Sequence, residues 1–190
     1  MITIIPTSKL EQNSPEWLEL RAKYISATDA YSLLHGKTIK EILTTKTSNS
    51  FKGNYWTNRG HQLEPEAKEV YSALYQPTTN VGFVINDKYP YVACSPDGLV
   101  DEDGMVEVKC FSIKRHYKVH QNLDPHIITQ IQYQLWVTER EWNDLVLYNP
   151  SVENLEEAMF VHRFYPDRKI HKKFEDIFSN YLTDRGEHHG

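Results

Sequence analysis

Cysteine is scarce: two residues in 190, too few for a disulfide scaffold or a cysteine-rich zinc module. No run of 18 apolar residues occurs, which argues against a membrane-spanning helix. Met1 to Pro6 lacks the basic flank and long apolar stretch of a signal peptide, so a cytoplasmic, reducing setting is expected. Eight glycines and nine prolines are too few for a low-complexity linker protein. There is no basic excess either. Lysine plus arginine total 21 against 26 acidic residues, a net charge of −5 with histidine neutral. That balance argues against indiscriminate coating of nucleic acid. It leaves room for an enzyme that needs only a local basic surface.

What remains is an ordinary globular composition, with 39% hydrophobic and 12% aromatic residues. The length suits one domain spanning residues 1–190. Ser14 and Pro15 open a helix as cap and first residue, and Trp17, Leu20 and Tyr24 recur at helical spacing. Ser26 to Asp29 offers a second cap. Residues 38–44 read as a short helix and 45–55 as an exposed loop. A helix follows from Asn58 to Tyr75, with Pro65 either kinking it or marking its first turn. Strands are expected at 81–85, 91–94, 98–100 and 105–110, with a turn at Asp101 to Gly104. A helix at 125–137, strands at 145–148 and 159–164 and a helix at 170–181 complete the chain. The pattern predicts an α/β (α+β) domain with one mixed sheet covered by helices.

The chemistry concentrates in Ser95-Pro96-Asp97-Gly98-Leu99 and Glu107-Val108-Lys109, with Asp97 and Glu107 ten positions apart. Alternation along a strand puts Glu107 and Lys109 on one face and Val106, Val108 and Cys110 on the other. An antiparallel return through the Asp103-Gly104 turn brings Asp97 beside Glu107. Two adjacent carboxylates repel unless a cation sits between them. Oxygen donors suit a hard ion such as Mg²⁺, and the Val108 carbonyl is a further donor. Such an ion polarises a phosphoryl oxygen and activates water, while Lys109 can orient that water or offset phosphate charge. Read singly, a Glu-x-Lys is more often a solvated surface pair and a Ser-Pro-Asp-Gly more often a turn.

Together these stretches resemble the core of the PD-(D/E)xK nuclease superfamily, with its restriction-endonuclease-like central mixed β-sheet flanked by helices. More narrowly, the chain is similar to the phage lambda exonuclease group of viral recombination exonucleases. Three further blocks support the resemblance in order. They are Trp17 to Arg21 with Ile25 to Asp29, Gly60 to Ala67, and Gln130 to Thr138. The likeness spans about residues 14–150.

The resemblance implies roles. Asp97, Glu107 and the Val108 carbonyl would bind metal, Mg²⁺ with Mn²⁺ as a substitute, at two ions per site. Glu64 would reach that metal directly or through water, and Lys109 would be the catalytic lysine. Gln130 would hold Lys109 or the attacking water. Arg21 and Thr28, assisted by Ser26, would hold a 5′-phosphate. On spacing alone, Glu64 reads rather as an exposed helix carboxylate, Gln130 as a helix surface amide, and Arg21 equally as a partner of Glu16 or Glu19. The lambda enzyme carries an aromatic residue where this chain has Ile127, so that hydroxyl is missing unless His126 substitutes.

Softer features surround this set. Lys114, Arg115 and Lys118 form either a DNA-facing strip or a solvated helix face. The expected loop, with Lys46, Lys52, Tyr55 and Trp56, would contact or split a duplex end, unless the aromatics are core. The activity implied is a Mg²⁺-dependent 5′-to-3′ exonuclease on linear double-stranded DNA, leaving a 3′ overhang. A ring trimer and a single-strand annealing partner are implied by the resemblance alone. The rival expectations are an endonuclease or repair nuclease on the same core, and a catalytically silent DNA-end-binding protein.

Overall fold

A computed structural model describes residues 1–48 and 55–186, with side chains at 1–48 and 59–183. The elements run β1 (Ile2–Pro6), α1 (Pro15–Ala22), a 3₁₀ turn (Ala27–Asp29), α2 (Ala30–Leu34), α3 (Ile39–Ser48) and α4 (Tyr55–Leu74). Then come β2 (Val81–Asn86), β3 (Ala93–Cys94), β4 (Gly98–Val100), β5 (Gly104–Lys109), α5 (Ile113–Gln121) and α6 (Pro125–Thr138). The chain closes with β6 (Trp142–Tyr148), a 3₁₀ turn (Leu155–Glu157), β7 (Met159–Phe164) and α7 (Arg168–Gly186).

Local signals set many of these bounds. The Ser14 side chain accepts from the Trp17 N–H at 3.2 Å, and Pro15 follows, so α1 begins where its cap dictates. Asp124 caps α6 ahead of Pro125 in the same way. Pro65 lies inside α4 and does not mark its first turn; it deprives the His61 carbonyl of its i+4 donor.

The strands form two sheets where one was expected. β1-β2-β3 is antiparallel, and β4-β5-β6-β7 is mixed, its only parallel pair being β5 with β6. An isolated bridge ties the segment just before β2 to β4: Thr79 and Leu99 exchange two backbone bonds of 2.8 Å. β1, which periodicity did not reveal, exists because β2 offers it an edge about 80 residues away in sequence. Residues 45–48, expected as loop, continue α3, and the basic run after Lys109 is helix α5. Residues 49–54, which include Lys52, lie outside the described part.

α6 lies at the centre. It packs against β2, β3 and the first 3₁₀ turn on one side and against β6 and α7 on others. Its Ile131, Tyr133, Leu135 and Val137 are fully buried, and Phe174 and Phe178 of α7 pack on Trp136. The opposite face of the mixed sheet puts Val106, Val108 and Val146 against Ala67 and Tyr71 of α4. Burying these apolar faces supplies the main drive for folding. The mixed sheet is thus sandwiched between α4 and α6, and polar residues at its open end can be reached from both helices.

Candidate active site

At that end a cleft of about 660 Å³ opens. The β4–β5 hairpin builds its floor. Gly98 pairs with Val106, and the Asp97 N–H donates to the Val106 carbonyl at 3.2 Å, so Asp97 stands opposite Glu107. The alternation along β5 holds: Val106 and Val108 face α4, while Glu107 turns toward α6. Glu107 is only 3% exposed, yet both of its oxygens are engaged. Oε1 accepts from Lys109 Nζ at 2.5 Å and from Gln130, and Oε2 accepts from Gln134 Nε2 at 2.6 Å. Gln134 is held in turn by Asn143, whose Nδ2 donates to its Oε1 at 2.8 Å. Asp97 Oδ2 accepts the Val108 N–H at 2.7 Å.

The third carboxylate comes from α4. Glu64 lines the cleft and pairs with Lys68 at 2.9 Å. Lys68 also donates to the Asp97 carbonyl at 3.0 Å, tying α4 to the start of β4. Burial pushes the Asp97 carboxyl well above the usual carboxylate range, and Glu107 and Glu64 push it further. Lys109 and the Val108 N–H oppose them. Burial pulls the Lys109 ammonium down, but Glu107, Asp97 and Glu64 together outweigh it, so its pKa lies above the ordinary lysine value. Among the described residues, no three His, Cys, Asp or Glu side chains converge as a ready-made ligand cage. The donors that do meet are carboxylate oxygens under mutual repulsion. That set fits a hard divalent ion, which keeps several waters and takes only one or two carboxylates.

The other wall comes from α1 and the 3₁₀ turn. Trp17 is anchored by its indole N–H to the Gly82 carbonyl at 2.9 Å and to Ser95 Oγ at 3.1 Å. Arg21 lies over that ring at 5.3 Å and donates to Thr28 Oγ1 at 2.6 Å. Burial lowers its pKa, and Asp29 opposes the shift. The expected alternative partners are not used: Glu19 pairs with Lys23, and among the described residues Arg21 forms no ion pair. Arg21, Ser26 and Thr28 line the same cleft as Asp97, Glu107, Lys109 and Gln130.

Some expectations need correction. The Ser26 hydroxyl has one proton and gives it to Asp29 Oδ2 at 2.7 Å, so it has none left for a phosphate oxygen. Lys46 is not a loop residue free to meet a duplex; it sits in α3 and is tied down inside the protein. His126 does not stand in for the missing aromatic. It stacks on Tyr31 at 3.6 Å, and Ile127 is core. Lys114, Arg115 and Lys118 are on the exposed side of α5, and of these only Arg115 lines the cleft. His116 and His120 stack on Phe160 on the other side. Sequence reasoning gave no role to Gln134, Asn143 or Lys68. Gln134 had a signal: it follows Gln130 by four residues, about one helical turn, and so shares its face of the helix.

A hairpin bearing Asp97 and Glu107-x-Lys109, clasped between two helices, gives the PD-(D/E)xK type of fold, here with its mixed sheet flanked by α4 and α6. Residues 16–141 match the YqaJ-like viral recombinase domain, and the chain belongs to that family. Its fold is similar to that of an alkaline exonuclease from Laribacter hongkongensis, with a TM-score of 0.77 and 24% identity over 90% of this chain and 92% of that one. The structure of that exonuclease in complex with dAMP gives 0.78 and 25% over the same shares. A phage-related exonuclease from Haemophilus somnus 129PT shares the fold at a TM-score of 0.56 and 14% identity, covering 85% of this chain and 93% of that one. No curated protein sequence matches the chain significantly. Among the described residues, no helix is long and apolar enough to cross a membrane.

Proposed function

We propose that the chain is a Mg²⁺-dependent exodeoxyribonuclease. It degrades one strand of linear double-stranded DNA from a 5′-phosphorylated end, releases mononucleotides and leaves a 3′ overhang. One observation carries this reading: the Arg21–Thr28 pair and the Asp97–Glu107–Lys109 set line one cleft. An Arg fork and a hydroxyl suit a terminal phosphate, and oxygen donors beside a lysine suit phosphodiester hydrolysis.

The residues divide the work. Arg21 takes phosphate oxygens on its remaining N–H groups, and Thr28, which accepts from Arg21, turns its own proton to the phosphate. Asp97, Glu107 and the Val108 carbonyl would hold the ions, with Glu64 reaching them directly or through water. Mg²⁺ or Mn²⁺ held there would supply polarisation of the phosphoryl oxygen and a more acidic water. Gln130 and Gln134 keep Glu107 in one rotamer, so the ligand set needs little reorganisation. Lys109 orients the attacking water and offsets charge on the phosphate. The bond to the 3′-oxygen breaks, and a 5′-mononucleotide leaves. That product class agrees with the dAMP bound by the Laribacter enzyme. Arg115 and the exposed Lys114 and Lys118 extend the path with phosphate contacts. A ring trimer enclosing DNA would give processivity to a chain of net charge −5, and an annealing protein would take the overhang.

A linear duplex with a 5′-phosphate at one end and 3′ fluorescent labels tests the proposal, with wild type and Lys109→Ala in Mg²⁺ or EDTA. Expected is Mg²⁺-dependent loss of the strand from its phosphorylated 5′ end by wild type only. Cutting at internal sites or of a closed circle would instead establish an endonuclease. Binding without cutting in either Mg²⁺ or Mn²⁺ would make it an end-binding protein.

A further inference from the structure

The wall of the cleft that carries Arg21 is held by a second cation the mechanism does not use. Lys46 of α3 is 13% exposed and Asp29 is 18% exposed. All three ammonium protons of Lys46 have acceptors: Asp29 Oδ2 at 2.6 Å, the Tyr24 carbonyl at 2.7 Å and Ser26 Oγ at 3.1 Å. Asp29 Oδ2 also accepts the Ser26 N–H at 2.8 Å and the Ser26 hydroxyl at 2.7 Å. Ser26 Oγ lies 3.3 Å from Thr28 Oγ1, which accepts from Arg21. An unbroken chain of polar contacts therefore runs from Lys46 through Asp29, Ser26 and Thr28 to Arg21.

We propose that Lys46 is a positioning residue that sets the preference for a 5′-phosphate by occupying Asp29 and so keeping Arg21 available. This rests on the nuclease reading above. The physical argument concerns what Asp29 does without Lys46. Asp29 is required locally, because its carboxylate closes the cap on the Ser26 N–H that starts the 3₁₀ turn. That places a carboxylate beside a pocket meant for an anion. Two cations and one carboxylate leave the wall with a single net positive charge. Removing Lys46 leaves none, and Arg21, which lines the same wall, already feels Asp29 electrostatically. A partly buried carboxylate that loses its partner is left as a costly uncompensated charge, which favours pairing with another cation. Arg21 would close onto Asp29, and the phosphate would meet a neutral wall. Lys46 itself has no proton free for the phosphate, so its effect must pass through Asp29.

The test uses the full chain with Mg²⁺ and reads the ratio of degradation rates on 5′-phosphate and 5′-hydroxyl duplexes. Lys46→Met should lower that ratio about tenfold, the scale expected for one lost charge near the protein surface. Asp29→Asn should keep the wild-type ratio or raise it, because the rogue carboxylate is gone. The double variant Asp29→Asn/Lys46→Met should recover the ratio that Lys46→Met loses. That recovery separates charge from simple loss of packing, and Asp29→Asn keeps the test informative if Lys46→Met alone does not fold. A wild-type ratio near one overturns both the pocket and the role of Lys46. A wild-type preference that Lys46→Met retains overturns the role of Lys46 alone. A double variant as poor as Lys46→Met also overturns it, since Lys46 would then act on the phosphate directly.

Discussion

Gln134→Ala should separate stability from catalysis. Gln134 is 1% exposed and joins Glu107, 3% exposed, to Asn143, fully buried. Its amide donates to the Glu107 carboxylate at 2.6 Å and accepts from Asn143 at 2.8 Å. Alanine removes a hydrogen bond to a charged group, about 1.5–3 kcal/mol, and leaves the Asn143 amide unpaired, about 1–3 kcal/mol more. Partial relaxation and entry of water reduce the sum, so a loss of about 3 kcal/mol is expected. For a chain of 190 residues that corresponds to about 6–12 °C in Tm. Gln130→Ala, at the half-buried mouth of the cleft, should cost only about 1 kcal/mol, because water replaces its amide. Both variants free Glu107 to leave its rotamer, so both should lose nuclease rate. The assay is urea unfolding in EDTA beside single-turnover digestion in Mg²⁺. Equal stability losses for the two variants, or Gln134→Ala within about 0.5 kcal/mol of wild type, would refute the idea that Gln134 is the buried clamp on Glu107.

Three further outcomes follow from the same geometry. Asp97→Asn should abolish digestion yet raise stability in EDTA by about 1 kcal/mol, since it removes a charge that burial first, and then Glu107 and Glu64, disfavour, while an amide oxygen still accepts the Val108 N–H; a destabilised variant in denaturant melts would contradict this. Arg163→Ala should cost about 3 kcal/mol, because it strands Asp144, which is 1% exposed and takes two 2.8 Å bonds from Arg163 and one of 2.6 Å from Tyr71; a change below about 1 kcal/mol would show that Tyr71 alone suffices. The Cys110 thiol, pushed up to about 12 by burial and then by Asp97, should resist iodoacetamide at pH 8 in the folded protein. Because its folded pKa is raised, the folded state keeps a proton that the unfolded chain releases above about pH 8.5, so this group's contribution falls as pH rises from there toward 12. Fast alkylation at pH 8 would overturn the assignment.

The parts that were legible in the sequence are those governed by near neighbours in the chain. Ser14-Pro15 starts α1 because a cap bonds three residues ahead. Asp97 meets Glu107 because a short hairpin has one register compatible with Val106 and Val108 facing the core, and that alternation also set which face carries Lys109. What escaped depends on contacts between distant segments. β1 has no strong pattern of its own and is a strand because β2 pairs with it. The basic run of α5 was ambiguous until Phe160 covered one side of it and water the other. Lys46 looked like a loop cation, yet it is an internal partner of Asp29, because α3 is long enough to bring it there. Gln134 drew no role from the sequence, because only the folded sheet delivers Glu107 and Asn143 to it. Local steric and hydrogen-bonding rules act within a few residues, so the chain alone set its caps, its hairpin and its reactive triplet. The pairing of charges buried between elements depends on where those elements dock, and only the folded structure decided which carboxylate each cation holds.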